Sequence, residues 1–565
     1  MNSKILHFIN SNIFILTACL IFGFVRGFYL RTDFFWDFMN YHYYNAFAFL
    51  NNRLNYDVVL SSINTFFNPL MDIPLYIMIQ HLNDYPGIIY GIQGLYYGIC
   101  LFFLIKICGL IWNNNSWYGL ISSLLVVILA STGQAVWTQI ASCTNEIQVA
   151  TFAFAGLYVL FKIILHPEQQ KGYKFLGCGL LLGLALGLKP TVITYCLSSG
   201  LTCIIFHKKL NRPLLYIFLF ALGGLIGYLL TNGWFMWRYW ELYQNPFFPF
   251  ANSVFKSEYM EGSYSGDDRF FPPLKYLPIY PFIWYFGDYH ICETTYYDCK
   301  LTIIYLFLIL FAYKYFTSDK YKRFMTKYNG WAIYFVFLTL SYLLWMSLFS
   351  ILRYALIIEM FGSIFIAYAT INLYKKVVSD RRKYHLLRFI GLICCVLLIS
   401  VLVSIVRATK IYNINHSQHY LEIEHFKFPD NTIIKTYSYP VAAYIAEWGK
   451  DNKIRALGFN QIENKIHHNS DFAERGKFRQ MREDILKDYK GPAIILYLPF
   501  SLFKDKPVPH LDEVNRITSK EIKEHNLFCR KIKNNLRSKF QICVPQELKQ
   551  QILGDDLKES YDYRN

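Results

Sequence analysis

The chain has 565 residues, 54% of them hydrophobic and 19% aromatic, and a formal net charge of +17. That apolar content, with a positive mean hydropathy, excludes a disordered chain and an ordinary soluble enzyme and points to an α-helical polytopic membrane protein. The positive charge would suit a nucleic-acid binder in a soluble protein. Here it falls in short loops between apolar runs, where membrane orientation explains it and no nucleic acid is needed.

About eleven apolar runs precede residue 407, each approaching the roughly 20 residues that cross about 30 Å of hydrocarbon. They lie near 9–28, 88–111, 117–137, 147–165, 175–188, 191–206, 213–231, 301–317, 330–350, 354–373 and 386–406. The two runs between 175 and 206 are short, and 66–80 offers a further interfacial or re-entrant segment. Lys4 precedes the first run and no small-residue cleavage pattern follows it, so it reads as a retained anchor. Alternating spans put four basic loops on one face: Lys162, Lys171 and Lys174; Lys208, Lys209 and Arg212; Lys320, Lys322, Arg323 and Lys327; and Lys375, Lys376, Arg381, Arg382 and Lys383. The positive-inside rule makes that face cytoplasmic, with the N-terminus inside and the C-terminal region outside. Arg26 and Arg31, at the outer end of the first span, run against this but are outnumbered.

Residues 29–87 then form the first outer loop, opening with "RTDFFWDFMNYHYYNAF". Helical spacing would put Asp33, Asp37, Tyr41 and Tyr44 on one face. Two carboxylates four residues apart near low dielectric can hold one at a pKa suited to accepting a proton. The plainer reading makes Asp33 the cap of an interfacial helix and the aromatics a headgroup belt. Further along, Asn68-Pro69 and Pro74 in "NTFFNPLMDIP" argue against a continuous helix.

Other charged residues fall at the outer ends of later spans. Glu146 lies in "SCTNEIQ", Lys189 in the very short turn "GLALGLKPT", and Arg238 and Glu241 at the start of a large outer loop, 232–300. Arg353 lies in "LFSILRYALIIEMF", and Glu359 sits inside the tenth span with its role open. A lone charge of this kind would be an interfacial snorkeller. Short turns have little need of charge, however, and acids and bases gathered there would form a site that clamps phosphate and offers a carboxylate base.

Residues 407–565 are polar, with expected strands at "IRALGF" and "AIILYLP" and expected helices at "SDFAERGKFRQMREDILKDY" and "SKEIKEHNLFCRKIKNNL". That alternation describes a small C-terminal α/β extracytoplasmic domain following a transmembrane part of residues 1–406. Cys143, Cys292, Cys299, Cys529 and Cys543 are the outer-side cysteines. Cys292 with Cys299, and Cys529 with Cys543, are near enough in sequence to pair in an oxidising compartment. There is no CxxC or Cys/His metal spacing and no phosphate-cradling glycine loop.

The layout resembles the GT-C superfamily of integral-membrane glycosyltransferases, whose catalytic Asp or Glu follows the first span. The aminoarabinose and O-mannosyl branches follow that acid four residues later with tyrosine, matched here by Asp37 and Tyr41 in "WDFMNY". The segment "NPFFPFAN", the "RY" of Arg353-Tyr354 and "GLKPT" resemble further elements of bacterial members. The match covers the first ten or so spans and not the tail. It departs where Phe38, not glutamate, follows Asp37, which leaves a divalent cation an open question. The resemblance implies a GT-C-like fold of about eleven helices and sugar transfer from a polyprenyl-phosphate donor, with inversion. The acceptor would be a lipid, a glycan or a protein at the outer face of the inner or plasma membrane. Asp37, with Asp33, would be catalytic. Lys189, Arg353 and Arg238 would bind the donor phosphate, and Tyr41, His42, Glu146 and Asn245 the acceptor. A transporter or flippase of lipid-linked saccharides, and a polysaccharide polymerase or ligase, are the alternatives. Charges gathered at outer ends, without an internal repeat, favour transfer over transport.

Overall fold

The computed structural model describes residues 11–29, 36–112, 117–260, 270–271, 273–284, 291–292, 296, 298–327, 329–379, 418–437, 441–459, 476–498, 509–536 and 538–554. Among them, seven helices are long and apolar enough to cross a membrane: Asn12–Tyr29, Pro86–Trp112, Glu146–Leu165, Pro213–Tyr243, Lys300–Thr317, Asn329–Leu348 and Leu352–Ile371. This fits a polytopic helical membrane protein but corrects the expected count of eleven. Three of the expected runs form shorter helices, Trp117–Ala130, Gly172–Leu188 and Ile193–Ile205. At 1.5 Å per residue these reach about 20–26 Å, short of the roughly 30 Å hydrocarbon layer. Their breaks are local: the chain turns at Ser131–Gly133, and Pro190 opens a 3-10 turn after the extended Lys189. The eleventh run, 386–406, lies outside the described residues. Pro213–Tyr243 also runs 31 residues, so the large loop begins near 244 and not at 232.

The chain divides into two compact units, and neither is a contiguous stretch of sequence. The first comprises Met1–Asp33, Tyr90–Asn232 and Asp267–Asn415; the second comprises Phe34–Ile89, Gly233–Gly266 and His416–Asn565. The expected boundary at 407 therefore separates the tail from two outer loops with which it shares a fold.

The first unit is a helical bundle held by close backbone approach and aromatic packing. A Cβ on Gly94 would stand 2.1 Å from the Gly23 carbonyl oxygen, and one on Gly183 would stand 2.1 Å from that of Gly224. Small residues at such crossings let helices associate through backbone packing where lipid offers no hydrophobic gain. Arg26, counted above as a loop charge, is buried with its guanidinium 4.0 Å from the Trp137 ring centre, which removes it as evidence on orientation.

The second unit is built on a five-stranded sheet in the order β2-β1-β3-β5-β4. The strands are β1 Ile433–Thr436, β2 Arg455–Gly458, β3 Ala493–Tyr497, β4 Leu527–Lys531 and β5 Gln541–Pro545. β1, β2 and β3 run parallel, joined through helices Ala442–Asp451 and Gly476–Lys487, while β5 and β4 pair antiparallel. The expected strands at 454–459 and 493–499 are β2 and β3. The last expected helix is corrected: Pro509–Glu524 ends, Asn526 turns at φ 47°, and residues 527–531 become β4. Cys529 sits opposite Cys543 across the β4–β5 pair and is disulfide-bonded to it; the structure does not join Cys292 to Cys299.

The segment between the first two long helices extends this sheet. Val58 bridges Leu457 in parallel, donating to Ala456 O at 3.0 Å and accepting from Gly458 N at 2.8 Å. Phe66 from that loop packs with Tyr239, Tyr243 and Phe248 and with Phe478 of the tail in one buried cluster. Aromatic rings from three distant stretches thus make one core. Gly94→Leu and Gly183→Leu should each separate a helix pair of the first unit. Lower yields of folded protein and a lower thermal midpoint in detergent are the expected readouts, with Gly109→Leu, whose Cβ position is open, as the unaffected control.

Candidate functional site

Three of the predicted site residues, distant in sequence, meet in the first unit. Glu146 opens the helix Glu146–Leu165, Lys189 is the extended residue between Gly172–Leu188 and the Pro190–Val192 turn, and Arg353 lies in the 3-10 turn Leu352–Ala355. Lys189 Nζ donates to Glu146 Oε1 at 2.7 Å and also to the Thr144 carbonyl. Arg353 Nε lies 3.5 Å from the same Oε1. The Tyr354 ring sits below both cations, 5.9 Å from Lys189 Nζ and 5.4 Å from the Arg353 guanidinium carbon. Glu146 Oε2 is buried with no hydrogen-bond partner among the described residues. One oxygen of Glu146 thus faces two cations brought from two other turns of the chain.

The turn before Glu146 is held by its own polar groups. Ser142 Oγ and Thr144 Oγ1 are 2.8 Å apart, Thr144 Oγ1 reaches Gln139, and Gln148 Nε2 donates to Gln93 Oε1 at 2.8 Å and Ser142 O at 2.9 Å. Ala141 and Asn145 adopt positive φ, 60° and 68°. Left-handed non-glycine residues beside the charged cluster are backbone strain kept where a side chain must be aimed.

A second buried set lies in the same unit. Asp298 accepts from Gln134 N at 2.8 Å, Glu359 accepts from Val136 N at 2.9 Å, and Lys300 Nζ reaches the Leu129 carbonyl and Thr132 Oγ1. These carboxylates hold the first amides of the short helix Gln134–Gln139, which gives Glu359 the structural role left open above.

In the second unit, Asp37 is half-buried and precedes a π-helical turn, Phe38–His42, closed by Tyr43 N donating to Phe38 O. The wider turn changes the i, i+4 spacing on which the shared face of Asp37 and Tyr41 was argued. Tyr41 is buried with its ring 4.1 Å from that of His42. His42 Nδ1 lies 2.7 Å from Asp72 Oδ1, both side chains buried, and Nε2 has no partner among the described residues. A carboxylate on Nδ1 selects the tautomer whose Nε2 is a bare acceptor. Asp72, in "NPLMDIP", is the residue that sequence reasoning did not single out, and its signal was only a carboxylate near prolines.

The remaining expected residues stand elsewhere. Arg238 belongs to the second unit and pairs with Glu241 at 3.1 Å in a partly exposed i, i+3 bridge. Asn245 is fully buried, with Nδ2 donating to Phe250 O at 2.9 Å and Oδ1 accepting from Phe247 N at 3.0 Å. Its amide builds the turn of "NPFFPF". Asp33 lies outside the described residues. Among those residues, no group of three or more His, Cys, Asp or Glu side chains is gathered as for a metal ion. Comparison with protein-family models, curated proteins and solved structures finds no match to this chain.

Tyr44 and Arg53 converge on Asp57: Tyr44 Oη donates to Oδ2 at 2.6 Å, and Arg53 donates through Nε at 2.8 Å and NH2 at 2.7 Å. Burial, reinforced by the Asp57 charge, pushes the Tyr44 phenol well above its usual range, so it stays a donor. Glu146→Gln should remove the carboxylate shared by two partly buried cations and cost about 3 kcal/mol, read as a lowered thermal midpoint of the purified protein. Asp57→Asn should cost about as much by stranding Arg53, with tail-specific proteolysis as the readout.

Proposed function

We propose that this protein is a membrane-embedded glycosyltransferase that moves a sugar from a polyprenyl-phosphate donor to an acceptor at the outer membrane face. The observation that carries the reading is the convergence of Lys189 and Arg353 on one oxygen of Glu146. In the proposed step the acceptor hydroxyl oxygen attacks the anomeric carbon, the bond from that carbon to the phosphate oxygen breaks, and polyprenyl phosphate leaves. Lys189 and Arg353 stabilise the charge developing on the leaving phosphate. The hydroxyl proton passes to a carboxylate base, the role that the sequence resemblance gives to Asp37. His42 Nε2 is enclosed, so the His42–Asp72 pair serves here to hold the segment that carries Asp37.

A common side for the outer segments is supported by the composition of the second unit. Its three stretches fold together, so the chain must leave the bilayer on one face at 34, 89, 233, 266 and 416. Between 89 and 233 there are three full-length helices, and an odd number of crossings cannot return the chain to that face. One or all three of the shorter helices must therefore also cross. The same parity between 266 and 416 asks for one crossing beyond the three long helices, and the apolar run 386–406 would supply it. With that parity the loop at 206–212, which leads into Pro213–Tyr243, lies on the basic, cytoplasmic side. Single cysteines at Lys208 and Lys453, both exposed, should label from opposite sides of sealed vesicles; labelling from one side would overturn this topology.

Transport of a lipid-linked saccharide is the second reading, favoured by the buried Asp298, Lys300 and Glu359. Their hydrogen bonds to the Gln134–Gln139 helix make them structural and weigh against it. A transfer assay with radiolabelled polyprenyl-phosphate sugars in nanodiscs tests the choice. Asp37→Asn, Lys189→Met and Arg353→Met should each reduce release of polyprenyl phosphate by about 100-fold or more, and His42→Gln by less. Translocation of donor by wild type with no release would favour transport.

A further inference from the structure

Between the long helices Lys300–Thr317 and Asn329–Leu348 stands a short one, Asp319–Lys327, with the sequence "DKYKRFMTK". Ser318 alone joins it to the first, and one position, 328, separates it from the second. Ser318 is extended, and its carbonyl accepts from Tyr321 N at 3.0 Å and Lys322 N at 3.2 Å, which starts the new helix there. Single-residue links span only about 3.5 Å each, so a helix tied in this way to two membrane-crossing helices is held at the bilayer surface.

At about 100° per residue, Tyr321, Phe324 and Met325 fall in one arc of this helix, and Lys320, Lys322, Arg323 and Lys327 outside it. The Tyr321 ring lies 6.2 Å from that of Phe311 on the preceding helix, which turns the basic arc away from that helix. Lys320, Lys322 and Arg323 are exposed. The one acid among them, Asp319, stands 3.4 Å from Lys322 in an exposed bridge that contributes little. The end of Lys300–Thr317 adds Lys314, exposed beside the exposed rings of Tyr313, Tyr315 and Phe316.

This mixture selects among anions. A small soluble anion calls for donors converging on one point, whereas these cations are spread along a helix about 13 Å long. A nucleic acid would leave Phe316, 74% exposed, in water beside its backbone. Rings that enter the acyl boundary while basic side chains reach up to phosphate are what a charged lipid surface accepts, and the negative charge of such a surface supplies the counter-ions.

We infer that Lys314, Lys320, Lys322 and Arg323 form a binding surface for the headgroups of anionic phospholipids, in the leaflet that the topology proposed above makes cytoplasmic. The surface uses no residue of the transfer step, and only its leaflet rests on that topology. Full-length protein in neutral detergent, titrated with phosphatidylglycerol or phosphatidylcholine and followed by native mass spectrometry, tests it independently of orientation. Wild type should retain phosphatidylglycerol in preference to phosphatidylcholine, and the preference should fall as salt is raised. Lys320→Gln, Lys322→Gln and Arg323→Gln combined should weaken phosphatidylglycerol binding about tenfold, with phosphatidylcholine binding and the thermal midpoint unchanged. Lys320→Arg with Lys322→Arg should keep it. Equal retention of the two lipids by wild type, or a triple variant that binds like wild type, would overturn the inference. So would an equal loss from Lys208→Gln, Lys209→Gln and Arg212→Gln combined, since attraction would then belong to basic loops in general and not to this surface.

Discussion

The second unit depends on one carboxylate. Asp57 takes the Arg53 guanidinium, the Tyr44 hydroxyl and the Ala456 amide, and thereby ties a loop between two membrane helices to the edge of a sheet formed some 400 residues later. The backbone then continues the attachment: Val58 bridges Leu457, and Arg53 and Arg455 donate to carbonyls across the junction. Covering β2 also removes an open sheet edge, which would otherwise be a site for unwanted pairing. Once that junction forms, Phe66 can enter the aromatic core, and the segment carrying Asp37, Tyr41 and His42 becomes part of a folded body instead of a free loop.

Charge in the first unit follows a related rule. Buried ions persist only where partners satisfy them, and the two buried groups of this unit satisfy theirs differently. Asp298 and Glu359 direct oxygens to backbone amides, so their charge is matched by the start of a short helix. Glu146 directs one oxygen to two cations. The first arrangement has the character of architecture. The second has the character of a site, because two cations from separate turns are brought to one carboxylate oxygen. Strained backbone at Ala141 and Asn145 is concentrated beside the second group.

Helix length matters in the same unit. Close glycine contacts between helix pairs pull backbones together, while Pro190 and the turn at Ser131–Gly133 cut apolar runs into pieces shorter than a bilayer. The turn that carries Lys189 lies between two such shortened helices, and its ammonium pairs with Glu146.

Much of this was legible from residues alone, because the signals were local. Apolar runs of span length, basic loops on alternate turns, the short apolar strands at 455–458 and 493–497, and charges stranded in short turns all express preferences of a few neighbouring residues for lipid, water or a pleated sheet. Lys189, Arg353 and Glu146 could be nominated in that way, since an isolated charge at a helix end is conspicuous without any partner. Other features were set by pairing across distance. The conversion of 527–531 from helix to strand follows from β5 and Cys543 lying opposite, and Asn245 turned out to be a turn-former because its amide finds Phe247 and Phe250. The grouping of loop and tail through Asp57 and the partnership of His42 with Asp72 have no sequence-local signature. Composition and periodicity determined that this chain crosses a membrane and where its charges would be exposed. Tertiary structure alone decided which charges meet, because a hydrogen bond or ion pair acts over about 3 Å in space, whatever the separation along the chain.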